Sequence, residues 1–222
     1  ALGGTAGSYY IYTEASTGAP QNSYATISSG DIAELMAKFD FSCYTNPTIE
    51  FIWSNYAESY TAAAANMTVY NVTDGVWSSS LWSRTTSTGD NSWYCTPGCN
   101  PIDLSAYGGK VIHIWFTITR YSYEGDFALD RIVVDATPRT SSTWDGSASS
   151  DWKTAANWSN NCVPLTTMDA VIADVTTQPI ISSDDGSSGA VTLDDITINS
   201  GATLTVEKEA SLTLTGNYTN NS

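Results

Sequence analysis

The sequence predicts an all-β protein: a β-sandwich or barrel followed by a smaller β-solenoid-like or β-meander domain. Residues 111–119 and 127–134 alternate β-branched or aromatic side chains with a period of two, which is typical of strands. Turn sequences such as Asp74-Gly75 and Gly108-Gly109 separate these runs. Charged residues make up only 14% of the chain, far from the Lys/Glu-rich composition of helical proteins. Several short strands with regular turns favour a sandwich or a barrel.

Residues 31–38 are the one stretch with helical character. Asp31 can cap a helix, and good helix formers follow it. In an all-β chain the same residues equally suit the start of a strand, so the sequence leaves helix and strand both open.

The pattern changes near residue 136, which predicts two domains. We expect a β-sandwich or barrel over residues 1–136 and a polar, proline-containing linker over residues 137–143. Residues 144–222 are rich in tryptophan and asparagine and lead into β-helix-type repeats.

The repeats are visible as pairs of apolar residues that recur every eight positions. Each pair is predicted to form a short strand, and such a strand must stack on neighbours to bury its apolar face. A β-solenoid and a meander both satisfy this rhythm. The chain has no recognisable start and the rhythm runs to its end, so we expect a longer natural polypeptide. The pairs are Ile196/Ile198, Leu204/Val206 and Leu212/Leu214.

The charge of the chain excludes several partners. There are 23 acidic and 8 basic residues, which gives a formal net charge of −15. Such a polyanion is repelled by nucleic-acid phosphates and by anionic membrane surfaces. No apolar run approaches the roughly 18 residues needed to span a bilayer, so we expect no membrane insertion.

The four cysteines point to two different arrangements. Cys95 and Cys99 flank a Pro-Gly turn, which can bring their Cα atoms within disulfide range. Free thiols or half of a metal site are the alternatives, but a second Cys/His pair that would complete a zinc shell is missing from the sequence. Cys43 and Cys162 fall in different predicted domains, so we expect them not to pair.

The N-terminal part resembles the MAM domain, an extracellular jelly-roll module of receptor phosphatases, meprins and many bacterial surface proteins. Residues 7–16 read G-S-Y-Y-I-Y-T-E-A-S, and Cys43 precedes an aromatic strand at residues 49–53. Residues 101–107 read P-I-D-L-S-A-Y, and residues 125–132 read G-D-F-A-L-D-R-I. These motifs stand in the family's order over about 130 residues. The resemblance implies that residues 1–136 form a jelly-roll β-sandwich and that it is a non-catalytic extracellular module.

The C-terminal part resembles the repeat-rich region of large secreted proteins of gliding and related Bacteroidota. Residues 144–158 read W-D-G-S-A-S-S-D-W-K-T-A-A-N-W, and Val163-Pro164 follows. In those proteins a similar segment precedes β-helical coils. The resemblance implies a secreted or outer-surface protein that engages the type IX secretion machinery during export.

Three carboxylates form a candidate metal site. Asp126 and Asp130 are four residues apart in a predicted strand and therefore share a face of the sheet. Glu14 lies on the opening strand, which the MAM resemblance places near the closing one. Calcium prefers several such oxygens, so we expect a structural calcium (or sodium) ion. The alternative is that the two aspartates accept backbone hydrogen bonds.

Trp77 and Trp82 are the candidate ligand contacts, because they flank the polar residues 78–80. Tryptophans can stack on sugar rings or anchor protein interfaces. Trp53 and Trp115 are embedded in strands, and we expect them to pack in the core. His113, the single histidine, alternates with apolar residues and is predicted to be a sheet-surface residue rather than a general base. Common catalytic motifs are missing from the sequence, so we expect no catalytic residues.

Two functions remain open at this point. The first is a non-catalytic adhesion or interaction module of a large cell-surface protein, binding a protein or glycan ligand. The second is a carbohydrate-binding accessory module of a secreted hydrolase. An aromatic platform on an otherwise polar sheet face would favour glycan binding. A third, minor possibility is a cargo fragment of the export system.

Overall fold

The computed structural model describes the residues named at the end of this paragraph. It confirms the all-β prediction and divides the chain into two compact units. The first unit takes residues up to 39, 46–107 and 111–135, and the second takes 40–45, 108–110 and 136 onward. In the part of the chain described, no helix is long and apolar enough to cross a membrane. The described residues are 11–13, 30–57, 61–90, 92–96, 99–121, 125–183 and 189–221.

The first unit is a jelly-roll sandwich of two five-stranded sheets. Its strands are β1 (Ile11–Thr13), β2 (Ile32–Asp40), β3 (Tyr44–Tyr56), β4 (Ala64–Asn71), β5 (Val76–Trp77), β6 (Trp82–Arg84), β7 (Tyr94–Cys95), β8 (Ile102–Asp103), β9 (Val111–Thr119) and β10 (Asp126–Pro138). Sheet A has the order β1-β10-β3-β7, with β8 also paired to β3. Sheet B has the order β2-β9-β4-β5, with β6 also paired to β4. A short 3₁₀ turn, Ser105–Tyr107, lies between β8 and β9.

Aromatic rings fill the space between the two sheets. Phe51 of sheet A contacts Trp82 and Phe116 of sheet B edge-on, with ring centroids 5.1 and 5.0 Å apart. Trp53 is buried in the same core, as its place in a strand predicts, and donates its indole N–H to the Cys95 carbonyl. Edge-to-face packing is a favoured arrangement of aromatic pairs and adds to the gain from burial.

Residues 32–38 belong to a strand and Asp31 directly precedes it, so the helical alternative is wrong. The strand is β2, which pairs with β9. Leu35 and Phe39 are less exposed than the residues between them, which is the alternation of a strand with one face toward a core. Pairing with β9 outweighs the modest helix propensity of the segment, because propensity is a weak preference that tertiary contacts override.

The second unit is a β-solenoid of about three turns. It contains β11 (Ser141–Trp144), β12 (Asp169–Ile172), β13 (Ile180–Ile181), β14 (Ala190–Leu193), β15 (Ile196–Ile198), β16 (Thr205–Val206), β17 (Ser211–Leu214) and β18 (Tyr218–Asn220). Three stacks of parallel strands form its sides, in the orders β11-β12-β15-β18, β13-β16 and β14-β17. Parallel pairing excludes the meander, in which neighbouring strands are antiparallel.

The eight-residue rhythm corresponds to one side of a three-sided coil. Ile196 pairs with Ala170 of the coil before it, rather than with the next apolar pair along the chain. Leu212 likewise stacks on Val191. One expected inward residue departs from this pattern: Val206 is exposed, and Leu204 alone of that pair packs on the core.

A tryptophan cluster closes the beginning of the solenoid. Trp158 contacts Trp144 and Trp152 edge-on, at centroid distances of 5.2 and 4.6 Å. The fully buried Asn157 holds the loop between them. Its side-chain oxygen accepts the backbone N–H groups of Ala148 and Ser149, and its amide nitrogen donates to the Asp151 carbonyl. The cluster and this amide therefore act as a structural cap.

The cysteine pairing differs from the prediction in one respect. Cys95 and Cys99 are bonded, with Cα atoms 4.9 Å apart, as their spacing around a turn allows. Cys43 and Cys162 are also bonded, which the sequence did not lead us to expect. The expectation was wrong because residues 40–45 belong to the second unit, where Cys43 lies beside Val163.

The predicted linker is also not a linker. β10 continues to Pro138 and β11 begins at Ser141, so most of residues 137–143 are in strands. Ser142 is buried and donates its hydroxyl to the Cys162 carbonyl. Polar composition is compatible with this structure because the hydroxyl groups find partners inside the fold.

Candidate ligand-binding face

The structure describes two of the three predicted metal ligands. Asp126 and Asp130 both lie on β10, and Glu14 lies outside the described residues. Four residues of extended strand span roughly 13 Å, whereas two oxygens on one calcium ion lie within about 5 Å of each other. Asp130 and Asp126 therefore cannot share one ion, and that part of the prediction is wrong.

Asp130 instead has a local role. Its carboxylate accepts the backbone N–H of Arg131, which has a left-handed backbone with φ of 50°. A side chain that accepts a neighbouring N–H stabilises such a turn within a strand. The described residues hold no cluster of three or more potential metal ligands. An ion involving Glu14 and Asp126 stays a prediction; β1, just before Glu14, does pair with the start of β10.

Trp82, one of the two candidate ligand contacts, is a core residue. β6 pairs with β4 so that Trp82 lies opposite Met67, on the inner face of sheet B. Only 8% of its surface is exposed, and its ring packs against Phe51 and Trp53. The prediction that Trp82 contacts a ligand is therefore wrong; the polar residues before it do not reveal which way its side chain points.

Trp77, the other candidate, lies on the outer face of sheet B. The residue is 57% exposed, although tryptophan has the largest apolar side chain of the common residue types. The ring leans on Tyr70 and Trp115, with centroids 5.1 and 5.9 Å away. Tyr70 in turn neighbours His113 at 6.1 Å. We call these four residues, Tyr70, Trp77, His113 and Trp115, the aromatic face.

Strand register explains why these rings meet. Tyr70 of β4 lies directly between Trp77 of β5 and His113 of β9. Trp115 is two residues further along β9, on the same side of the sheet, opposite Thr68. Adjacent strands lie about 4.8 Å apart, so residues in register on three strands form a continuous surface.

Uncharged polar residues continue the surface beyond the rings. Asn66 of β4 lies between Thr117 of β9 and Ser83 of β6, two positions from Thr68 along β4. We call Asn66, Ser83 and Thr117 the polar row. It lies roughly 7 Å from Thr68 along the strand direction. Along the strand direction, the outer side of sheet B thus carries aromatic rings first and then hydroxyl and amide groups.

Trp115 is on this face and not in the core, contrary to expectation. In β9 the buried residues are Ile112, Ile114, Phe116 and Ile118, so the alternate positions that include His113 and Trp115 point outward. Trp115 lies two residues from His113 along β9 and therefore on the same side of the sheet, and His113 was correctly predicted to be a surface residue. This spacing of two was the signal in the sequence from which the outward position of Trp115 could have been predicted.

The indole N–H of Trp115 has an unusual environment. Its nitrogen is buried although the residue as a whole is partly exposed, and among the described residues it has no hydrogen-bond partner. A buried donor without an acceptor costs roughly 1–3 kcal/mol. Because the nitrogen is closed off from solvent, it is not a contact point for a ligand on this face.

Sheet A has a small depression on its surface. It encloses about 170 Å³ and is lined in part by Glu50, Arg131 and the Cys95–Cys99 disulfide. Sites for small organic ligands commonly enclose about 300–1,000 Å³, so this depression is small for such a ligand. The aromatic face is chemically more distinctive, because it presents an exposed tryptophan held by neighbouring rings.

Comparison with known proteins concerns the second unit. Residues 143–222 are similar to a family described as a domain of unknown function, DUF8693. The matched segment contains β12 to β18 and the tryptophan cluster, whereas the aromatic face lies outside it. No curated protein matches the chain.

Proposed function

We propose that this chain is a non-catalytic adhesion or interaction module of a secreted or cell-surface bacterial protein, and that the aromatic face binds its ligand. The observation that carries the proposal is the exposure of Trp77, held by Tyr70 and Trp115 on the outer side of sheet B. Exposed aromatic side chains in fixed positions are common anchors of protein and glycan ligands. The ligand is a protein or a glycan.

An extracellular location is supported by the cysteines and the charge. All the described cysteines are in disulfides, which persist in oxidising compartments outside the cytoplasm. The net charge of −15 and the sequence resemblance to MAM domains and to type IX-secreted Bacteroidota proteins support the same assignment. The secretion machinery is then a transient partner during export.

The alternative is a carbohydrate-binding accessory module of a secreted hydrolase. The aromatic face supports this reading equally, because glycan-binding modules and adhesins both need an exposed platform. A catalytic domain encoded in the same gene would favour the accessory module. A solenoid that continues through many further coils would favour the adhesin, because added coils extend its reach.

The test uses the purified chain, fluorescently labelled, on a panel of surfaces: bacterial cells, plant cell-wall particles and plates coated with extracellular-matrix protein. We expect binding to at least one surface, lost in Trp77→Ala and kept in Tyr218→Ala. Tyr218 is the matched control because it is 59% exposed but lies in the solenoid. Binding that survives Trp77→Ala, or no binding to any surface, would overturn the proposal.

A further inference from the structure

The aromatic face and the polar row together carry a more specific inference, which rests on the proposed function. Three properties decide what kind of molecule fits them: whether the rings are preorganised, what charge the surface carries, and which polar groups lie beside the rings. Each is set by residues of sheet B.

The rings are held in place before any ligand arrives. Trp77 contacts Tyr70 and Trp115 on one side while more than half of its surface remains exposed. The backbone beside it is also fixed, since Ser78 donates its N–H to the Val69 carbonyl. An aromatic side chain with few rotatable bonds loses little entropy on binding, and these contacts reduce the loss further.

The surface is polar without being charged. Two ionisable side chains occur among the residues of the aromatic face, Thr68 and the polar row. They are the His113 imidazole and the Tyr70 phenol. The chain as a whole carries a net charge of −15, which repels an anionic ligand. A cationic ligand would find no carboxylate among these residues. A neutral ligand is therefore favoured.

The polar groups beside the rings argue for a ligand that carries hydroxyl groups. Thr68, opposite Trp115, and the polar row supply hydroxyl and amide groups. A purely apolar partner would leave these groups unsatisfied at a cost.

The main alternative to a sugar ligand is a protein ligand with an apolar surface. β2, on the other side of β9, exposes Ile32 and Met36, which are 60% and 44% accessible. Glu34 and Lys38 alternate with them along that strand. These charges interrupt the apolar stretch, whereas the aromatic face is interrupted only by neutral groups. The combination of ring faces and neutral hydroxyl and amide groups fits a sugar ring, which has C–H groups on its faces and hydroxyls at its rim.

We propose that the outer side of sheet B is a binding site for a neutral polysaccharide. One sugar ring stacks on Trp77, and the hydroxyls of the chain hydrogen-bond to Thr68 and the polar row.

The experiment titrates the full chain with cellohexaose, xylohexaose, mannohexaose and maltohexaose, followed by calorimetry and tryptophan fluorescence. Polygalacturonate is the anionic comparison. We expect at least one neutral hexasaccharide to bind and polygalacturonate not to bind. Trp77→Ala should weaken that binding by at least about tenfold, Trp77→Phe by much less, and Thr68→Val by a few-fold through loss of one hydroxyl.

The outcomes separate this inference from the proposed function. Tyr218→Ala should bind like the unmodified chain, and circular dichroism should show that each variant is folded. If none of the hexasaccharides binds, or if Trp77→Ala leaves their affinity unchanged, the inference is wrong. Surface binding that depends on Trp77 but is not competed by the hexasaccharides would leave the proposed function standing and reject the glycan. Loss of surface binding in Met36→Ala without loss in Trp77→Ala would identify a protein partner on β2 and reject both.

Discussion

The sandwich and the solenoid bury their apolar side chains in different ways. In the sandwich, rings from two sheets meet across the core, as Phe51 meets Phe116. In the solenoid, each residue stacks on its equivalent one coil earlier, as Ile198 stacks on Ile172. The sandwich therefore accommodates large side chains of varied shape, while the solenoid favours repetition of similar ones.

The outer faces of the two units differ accordingly. On one side of the solenoid the outward positions form a ladder of small β-branched residues, Thr143, Val171, Thr197 and Thr219. The outer side of sheet B instead carries the aromatic face. A ladder of small side chains offers no ring to stack on, which supports the proposal that the ligand binds the sandwich.

The largest expected effect concerns the disulfides, one in each unit. Replacing Cys43 and Cys162 by serine opens a bridge that spans 119 residues, and loop entropy predicts a loss of about 5 kcal/mol in the free energy of unfolding. The same replacement at Cys95 and Cys99, four residues apart, should cost only about 2 kcal/mol. Denaturant unfolding of both double variants measures the difference. Equal losses would show that chain entropy is not what distinguishes the two bridges.

The next effect separates the core of the sandwich from its outer face. Trp82→Ala should lower the free energy of unfolding by about 3–5 kcal/mol, because it leaves a cavity beside Phe51. Trp77→Ala removes the same side chain from an exposed position and should change stability by less than about 1 kcal/mol. Thermal or urea unfolding compares the two. A large loss in Trp77→Ala would mean that the aromatic face serves folding instead of binding.

A loss of about 3 kcal/mol is expected for Asn157→Ala in the solenoid cap. The change empties a fully buried position and removes the acceptor of the Ala148 and Ser149 backbone N–H groups and the donor to the Asp151 carbonyl. Asn221→Ala, at an exposed position, is the control and should be neutral. Urea unfolding monitored by tryptophan fluorescence gives both values. A neutral Asn157→Ala would show that the cap is held by the tryptophans alone.

The smallest effect is a pH dependence in the sandwich. Asp103 accepts the backbone N–H and the hydroxyl of Ser105, and these bonds hold the pKa of its carboxyl below the ordinary value. Because the folded-state pKa is depressed, its contribution to stability is present above the unfolded value near 3.9 and is lost as the pH falls through the folded value. NMR titration should show this, and Ser105→Ala should move the pKa of Asp103 part of the way back. An unchanged pKa in that variant would exclude the hydroxyl as a cause.

Prediction from sequence succeeded where the pattern was local. The alternation in residues 111–119 correctly predicts β9 and the outward position of His113. The eight-residue rhythm correctly indicates stacked strands, and the parallel register then selects the solenoid. Asn157 gave no local signal of its importance, because its four side-chain contacts come from a loop whose path only the folded chain defines.

Prediction failed where the answer depended on distant partners. Trp82 and Trp77 look alike in sequence, yet the pairing of β6 with Met67 turns one inward and the pairing of β5 with Tyr70 leaves the other outside. The Cys43–Cys162 bridge was missed for the same reason, since it joins residues 119 positions apart. The carboxylate prediction failed for a different reason: sharing a face was taken for proximity, although a strand separates its residues steadily along its length.

The amino-acid sequence by itself determined that the chain is all-β, which residues of each strand share a face, and that its last part is built from stacked short strands. Those properties follow from the order of neighbouring residues, since alternation along a strand is a local consequence of backbone geometry. Only the tertiary structure decided which strands lie side by side, and hence that Tyr70, Trp77 and Trp115 form one surface. Strand pairing joins residues far apart in the chain, and its register is chosen by the packing of the whole sheet.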